Sequence, residues 1–109
     1  MMAAVRLNTH AIFDWETFHE ESRQALGFPD FYGMNMDAWI DCLTYLDEGD
    51  EMSEFHLAEG EMLEIEVSDE EAFKSRLPEI FDALVECSSL VNVRRVEAGK
   101  PPVLSLIFS

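Results

Sequence analysis

Alternation is clearest between Met62 and Val67, where Leu63, Ile65 and Val67 fall on one side of an extended chain and Glu64 and Glu66 on the other. A period of two predicts a strand with one buried and one wet face, in a sheet covered mainly on one side at that strand. Val5 and Leu7 flank Arg6 in a shorter segment of the same kind, a second strand, followed by Asn8, Thr9 and His10 as loop. Val103 to Phe108 is a nearly continuous apolar run, which predicts a third strand buried on both faces or central in the sheet. Between the strands the apolar period becomes helical. Trp15, Phe18, Ala25 and Leu26 form an inward stripe behind Asp14 as cap, with Glu16, Glu20 and Glu21 suited to the N-terminal half and Gly27 as the stop. Met36, Trp39, Ile40, Leu43 and Leu46 form a second stripe behind Asn35, a good N-cap residue. Ile80, Leu84, Cys87 and Val91 form a third.

Punctuation sets the remaining limits. Asp47-Glu48-Gly49-Asp50-Glu51 reads as an acidic turn, and Phe55, His56 and Leu57 as a short helical turn or a covering loop. Ser68 and Glu71 have the spacing of a capping box, which opens a helix through Phe73 and Leu77. Pro78 fits a first helical turn and breaks an interior, so a new or kinked helix runs from there to about Ala98. Gly99 and Pro101-Pro102 stop it. Helices separate all three strands, which forces crossover connections and hence a parallel sheet with right-handed crossovers. The fold class is therefore α/β, a single small domain over residues 1–109 with a three-stranded parallel sheet packed with helices.

Charge changes this picture more than composition does. The apolar fraction of 48% is ordinary for a globular chain, but 23 Asp and Glu against 7 Lys and Arg leave a formal net charge of -16. Self-repulsion of that size opposes the compact state. It also argues against nucleic acid or an anionic membrane as a direct ligand. A basic protein is the natural partner, and long-range attraction would speed the encounter. An acidic surface that only promotes solubility is the plainer alternative. Cys42 and Cys87 each lie in an apolar-periodic helical segment and make no disulfide framework. With no basic segment and apolar run at the start and no run of membrane-spanning length, a cytoplasmic protein with reduced thiols is expected.

Catalytic chemistry finds little support. His10, His19 and His56 lack ligand spacing with one another or with the cysteines, so neither a metal nor a cofactor is expected. There is no glycine-rich phosphate loop, nucleophile elbow or Cys-x-x-Cys. Asp37 and Asp41 could pair as carboxylates, but one turn apart on an exposed helix face they make a poor enclosed site. Asp37, Asp41 and Thr44 sit at i, i+4 and i+7, away from the apolar stripe. Two like charges so placed weaken a helix by roughly 0.2–0.5 kcal/mol, and Asp is a poor interior helix former. Either this is an ordinary capped helix with a solvated acidic face, or binding keeps the acids there. Trp39, flanked by Met36, Leu43 and Leu46, reads as core.

The run Phe28-Pro29-Asp30-Phe31-Tyr32-Gly33, with Asn35, Asp37, Ala38, Asp41, Cys42, Leu43 and Thr44 behind it, resembles the signature of the barstar family, intracellular inhibitors of barnase-type ribonucleases. The resemblance covers about a sixth of the chain closely, with agreement in length and element order over most of the rest. It implies a non-catalytic protein whose loop and helix plug a ribonuclease active site, carboxylates standing where RNA phosphates would bind. Asp41 would then be the main anchor and Asp37 the second. Thr44 would be a flanking polar contact, Phe31 would lie against the edge of the cleft, and Gly33 would let the backbone approach closely. Tyr32 and Asn35 would set the loop and the cap. The type members carry Tyr in place of Phe31 and Trp in place of Ile40. They also place an acidic contact on a later helix, for which Glu79, Asp82 and Glu86 all remain open. An interaction module for a different basic protein is the second reading.

Overall fold

The structure, a computed structural model, describes residues 3–46, 57 and 60–109. Its sheet is built from β1 (Ala3–Leu7), β2 (Leu63–Val67) and β3 (Leu104–Phe108). All pairings are parallel in the order β1-β2-β3, with Val5 opposite Ile65 and Ile65 opposite Leu106. The helices are α1 (Trp15–Leu26), α2 (Met36–Thr44), α3 (Glu70–Arg76) and α4 (Pro78–Glu97). The expected α/β architecture is thus the observed one.

Strand order explains where the core lies. Two crossovers that advance in one direction, both right-handed by the general rule, carry all the helices to the same face of the sheet. Burial follows: Leu7, Leu63, Ile65, Val67 and Leu104 are buried on one face. Ala4, Arg6 and Ile107 are exposed on the other, where Arg6 lies 3.8 Å from Glu66 across the register. The alternating strand is therefore the central one. β3 is an edge strand and not the doubly buried or central strand its apolar run predicts, because burial of both faces needs a second helical layer. Its Phe108 stays 43% exposed, with its ring 5.8 Å from Phe81.

Local signals hold where nothing distant competes. Asp14 caps α1, its carboxylate accepting from the Thr17 amide at 2.9 Å and its own amide donating to the Thr17 hydroxyl at 3.0 Å. The Thr17 amide, and the Thr17 hydroxyl that also donates to Oδ1 at 2.8 Å, hold the Asp14 carboxyl below its usual pKa. Gly27 ends α1 in the left-handed region at φ 65°, and Pro78 opens α4. The capping box at Ser68 does not form. The Ser68 hydroxyl donates instead to Leu7 O at the end of β1, its carbonyl accepts from the Thr9 hydroxyl at 2.6 Å, and α3 begins after Asp69, whose side chain makes no capping bond. Thr9 itself belongs to a 3-10 turn, Thr9–Ala11, and not to an open loop.

Four stripe residues are less buried than their spacing predicts, Ala25 among them and only partly buried. Trp15 is 40% exposed and stacks on His19, while Met36 and Cys87 are only partly buried. Trp39 is fully buried among the core side chains, with Ile40, Cys42, Leu43 and Leu46 also inside. Leu57 is buried and its amide donates to Leu46 O, whereas the acidic turn 47–51, Phe55 and His56 lie outside the described residues.

Candidate functional site

The segment between α1 and α2 presents one side chain by burying its neighbours. After Gly27, Phe28 and Tyr32 turn inward with ring centroids 4.7 Å apart, and the Tyr32 amide donates to Pro29 O. The Tyr32 hydroxyl lies 2.6 Å from His19 Nδ1 on α1 and 3.5 Å from Asn35 O. Either the phenol donates to a neutral imidazole, or Nδ1–H donates to the phenol oxygen, which then turns its own proton toward Asn35 O. Burial pushes the His19 pKa down and the Tyr32 pKa up, so both rings stay uncharged at neutral pH. The consequence is at Phe31. Its aromatic neighbour is inside, and Phe31 stands 72% exposed.

Asn35 closes the loop and opens α2. Its Oδ1 accepts from the Ala38 amide at 2.8 Å and its Nδ2 donates to Gly33 O at 3.1 Å. A Cβ at Gly33 would lie 3.3 Å from that Nδ2, so the glycine allows this close approach. Met34, between them, holds a left-handed backbone at φ 55°, a conformation an unbranched side chain adopts only at some cost. Asp37 is exposed in the first turn of α2, where the helix dipole favours a negative charge.

Asp41 follows one turn later, half exposed, and it is not alone. Arg94 of α4 donates from Nη1 to Asp41 Oδ1 at 2.8 Å. Hydrogen bonding to Asp41 is the main cause that raises the Arg94 pKa, with the Tyr45 side chain adding to it. Thr44 is placed differently from the two acids. It is buried, 6% exposed, and its hydroxyl donates to Ile40 O at 2.7 Å, so it lies behind the face that Asp37 and Asp41 form. Phe31 and Gly33 of the loop and Asp37 of α2 are thus exposed and Asp41 half exposed, while Thr44 is buried.

Several contributors carry no local signature. Arg95 is buried, donating from Nη1 to Thr44 O at 3.1 Å and from Nε to Pro101 O at 3.2 Å, which ties the end of α2 to the entry of β3. Arg94 and Arg95 stand more than fifty residues from their α2 partners, and only their position in a charged C-terminal turn marks them in the sequence. On the same side of α4, Cys87 lies within electrostatic reach of both Glu86 and Asp37. Its thiol pKa is raised by burial first and by those two carboxylates next. Glu86 adjoins that thiol in sequence and Asp37 acts on it from α2. Among the described residues no group of three or more His, Cys, Asp or Glu side chains could hold a metal ion.

Comparison with known proteins bears on the family. A 29-residue segment is 52% identical to the "Putative ribonuclease inhibitor YrdF" of Bacillus subtilis (strain 168). That segment is 27% of this chain and 32% of the relative, so the match spans about a third of that relative's length. The family model described as Barstar (barnase inhibitor) matches residues 2–106, nearly the whole chain. With the fold and this coverage together, the chain belongs to the Barstar (barnase inhibitor) family.

Proposed function

We propose that this protein inhibits a basic, barnase-type ribonuclease by covering its active site with the loop and acidic flank of α2. The observation that carries the reading is the two-sidedness of that helix: Trp39, Ile40 and Leu43 are buried on one side, Asp37 and Asp41 stand toward solvent on the other, and Phe31 of the preceding loop is exposed. A cleft that binds RNA phosphates presents Arg and Lys, and carboxylates on a rigid helix offer the same charge to the same donors. In this reading Asp41 is the main anchor and Asp37 the second, with one acid of α4 among Glu79, Asp82 and Glu86 joining them. Phe31 packs on the cleft edge and Gly33 allows close backbone approach. Thr44 positions the helix from beneath. The protein performs no catalysis itself, needs no metal or cofactor, and acts in the cytoplasm. A net charge of -16 keeps RNA and anionic membranes away and steers the basic enzyme in.

Titration of a purified barnase-type ribonuclease with this protein tests the proposal. Stoichiometric inhibition that competes with RNA substrate is expected. Absence of inhibition refutes it and favours the second reading, an acidic module for a basic protein that is not a ribonuclease. One observation favours that alternative: Asp41 already has a cation of its own in Arg94. Recovery by pull-down of a basic protein without nuclease activity would decide for it.

A further inference from the structure

We propose that Arg94 makes this face selective for a partner that sets a carboxylate beside the cation meeting Asp41, so that a surface carrying cations alone binds poorly. The inference rests on the inhibitor reading for the location of the contact, and adds to it the charge pattern of the partner.

Both members of the Arg94–Asp41 pair lie at the surface, with side chains 39% and 51% exposed, so a partner seated on Asp41 covers Arg94 as well. The carboxylate can serve both. One oxygen takes the Arg94 donor at 2.8 Å, and a carboxylate has about four acceptor positions in all. The guanidinium is less accommodating, since it remains charged at every working pH and only donates. A partner that offers nothing but Arg and Lys brings like charge against it and removes the water that screens it. A carboxylate next to the partner's cation removes that penalty, and the four charges then alternate in sign. Arg94 lines, with Thr44, Tyr45, Lys100 and the buried Arg95, a recess of about 240 Å³.

Two peptide probes and one enzyme test this. Hexa-arginine and an alternating Arg-Asp hexapeptide are titrated into the wild-type protein, Arg94→Gln and Arg94→Lys, with thermal melts confirming that each variant is folded. Binding is located by amide shifts in α2. Loss of the charge in Arg94→Gln should tighten hexa-arginine several-fold and weaken the alternating peptide, while Arg94→Lys follows the wild type. Changes of the same sign for both probes, or no change, overturn the proposal. Against a barnase-type ribonuclease that the wild type inhibits, Arg94→Gln should weaken inhibition by about tenfold. Unchanged or stronger inhibition overturns the partner carboxylate and leaves the inhibitor reading intact. If the wild type does not inhibit at all, that reading fails, and the peptide signs alone decide the charge filter.

Discussion

α2 and α4 pack against each other, yet they sort their side chains in different ways. In α2 exposure follows chemistry. Trp39, Ile40, Cys42 and Leu43 are inside, and Asp37 and Asp41 are toward solvent. In α4 it does not: Leu90, Val93 and Val96 are exposed, while Arg95 is buried. A short helix with one apolar side has a single way to lie on a core, so its polar side becomes a surface by default. A 20-residue helix with apolar residues on both sides buries the stripe of Ile80, Leu84 and Val91, and its last turns are held by Arg95 donating to the Thr44 and Pro101 carbonyls. The acids of the proposed binding face are consequently local features of one helix. The cation that modulates them is a product of tertiary packing.

Breaking the α2 side first should have the largest effect. Trp39→Ala empties a fully buried position and should cost about 3–5 kcal/mol in denaturant unfolding. A loss under about 1 kcal/mol would mean the helix is not seated on that ring. The adjacent arginines of α4 sharpen the contrast. Arg95→Ala leaves the Thr44 and Pro101 carbonyls without these donors and should cost on the order of 2–3 kcal/mol. Arg94→Gln removes only a surface pair and should cost about 0–1 kcal/mol by the same measurement. Equal losses at the two positions would contradict the assignment of one to structure and the other to binding.

The smallest effect is expected from the loop's support on α1. His19 has its pKa lowered by burial from the ordinary 6.5, so below that pH the unfolded chain binds a proton that the folded one resists. Its contribution to stability is intact above about pH 6.5 and is lost as pH falls through that value toward the folded pKa. Melting temperatures of wild type and His19→Gln between pH 7.5 and 5 should diverge in slope, the variant being flatter. Parallel curves would place the titration elsewhere.

Much of this was legible because the deciding contacts are short in sequence. Asn35 caps the helix it precedes, Gly27 ends the one it follows, and the alternation at Leu63, Ile65 and Val67 reads directly as a half-buried strand. Reading failed where a distant partner outcompeted a near one. Ser68 had Glu71 within reach by spacing, but strand pairing brought the Leu7 carbonyl to it. Thr44 shares a helical flank with Asp41 by count, but Arg95 and the core bury it. The apolar run of β3 described its residues without describing how many layers would cover them. Tyr32 and Phe31 are neighbours of similar type, and the partners that hold Tyr32 inside, the Phe28 ring and His19 on α1, are not marked as such in the sequence. Arg94 gave no sign of its role, since nothing near it in sequence refers to Asp41.

The central claim is that Asp41 serves binding and not folding, and the most direct test compares the two in one variant. Asp41→Ala should lose about 2 kcal/mol or more of affinity for a barnase-type ribonuclease, a hot-spot margin to which the barnase–barstar complex itself contributed. Its thermal stability should change little, because the pair it breaks is exposed. Affinity that survives the substitution, or a loss of stability as large as the loss of binding, would contradict the account.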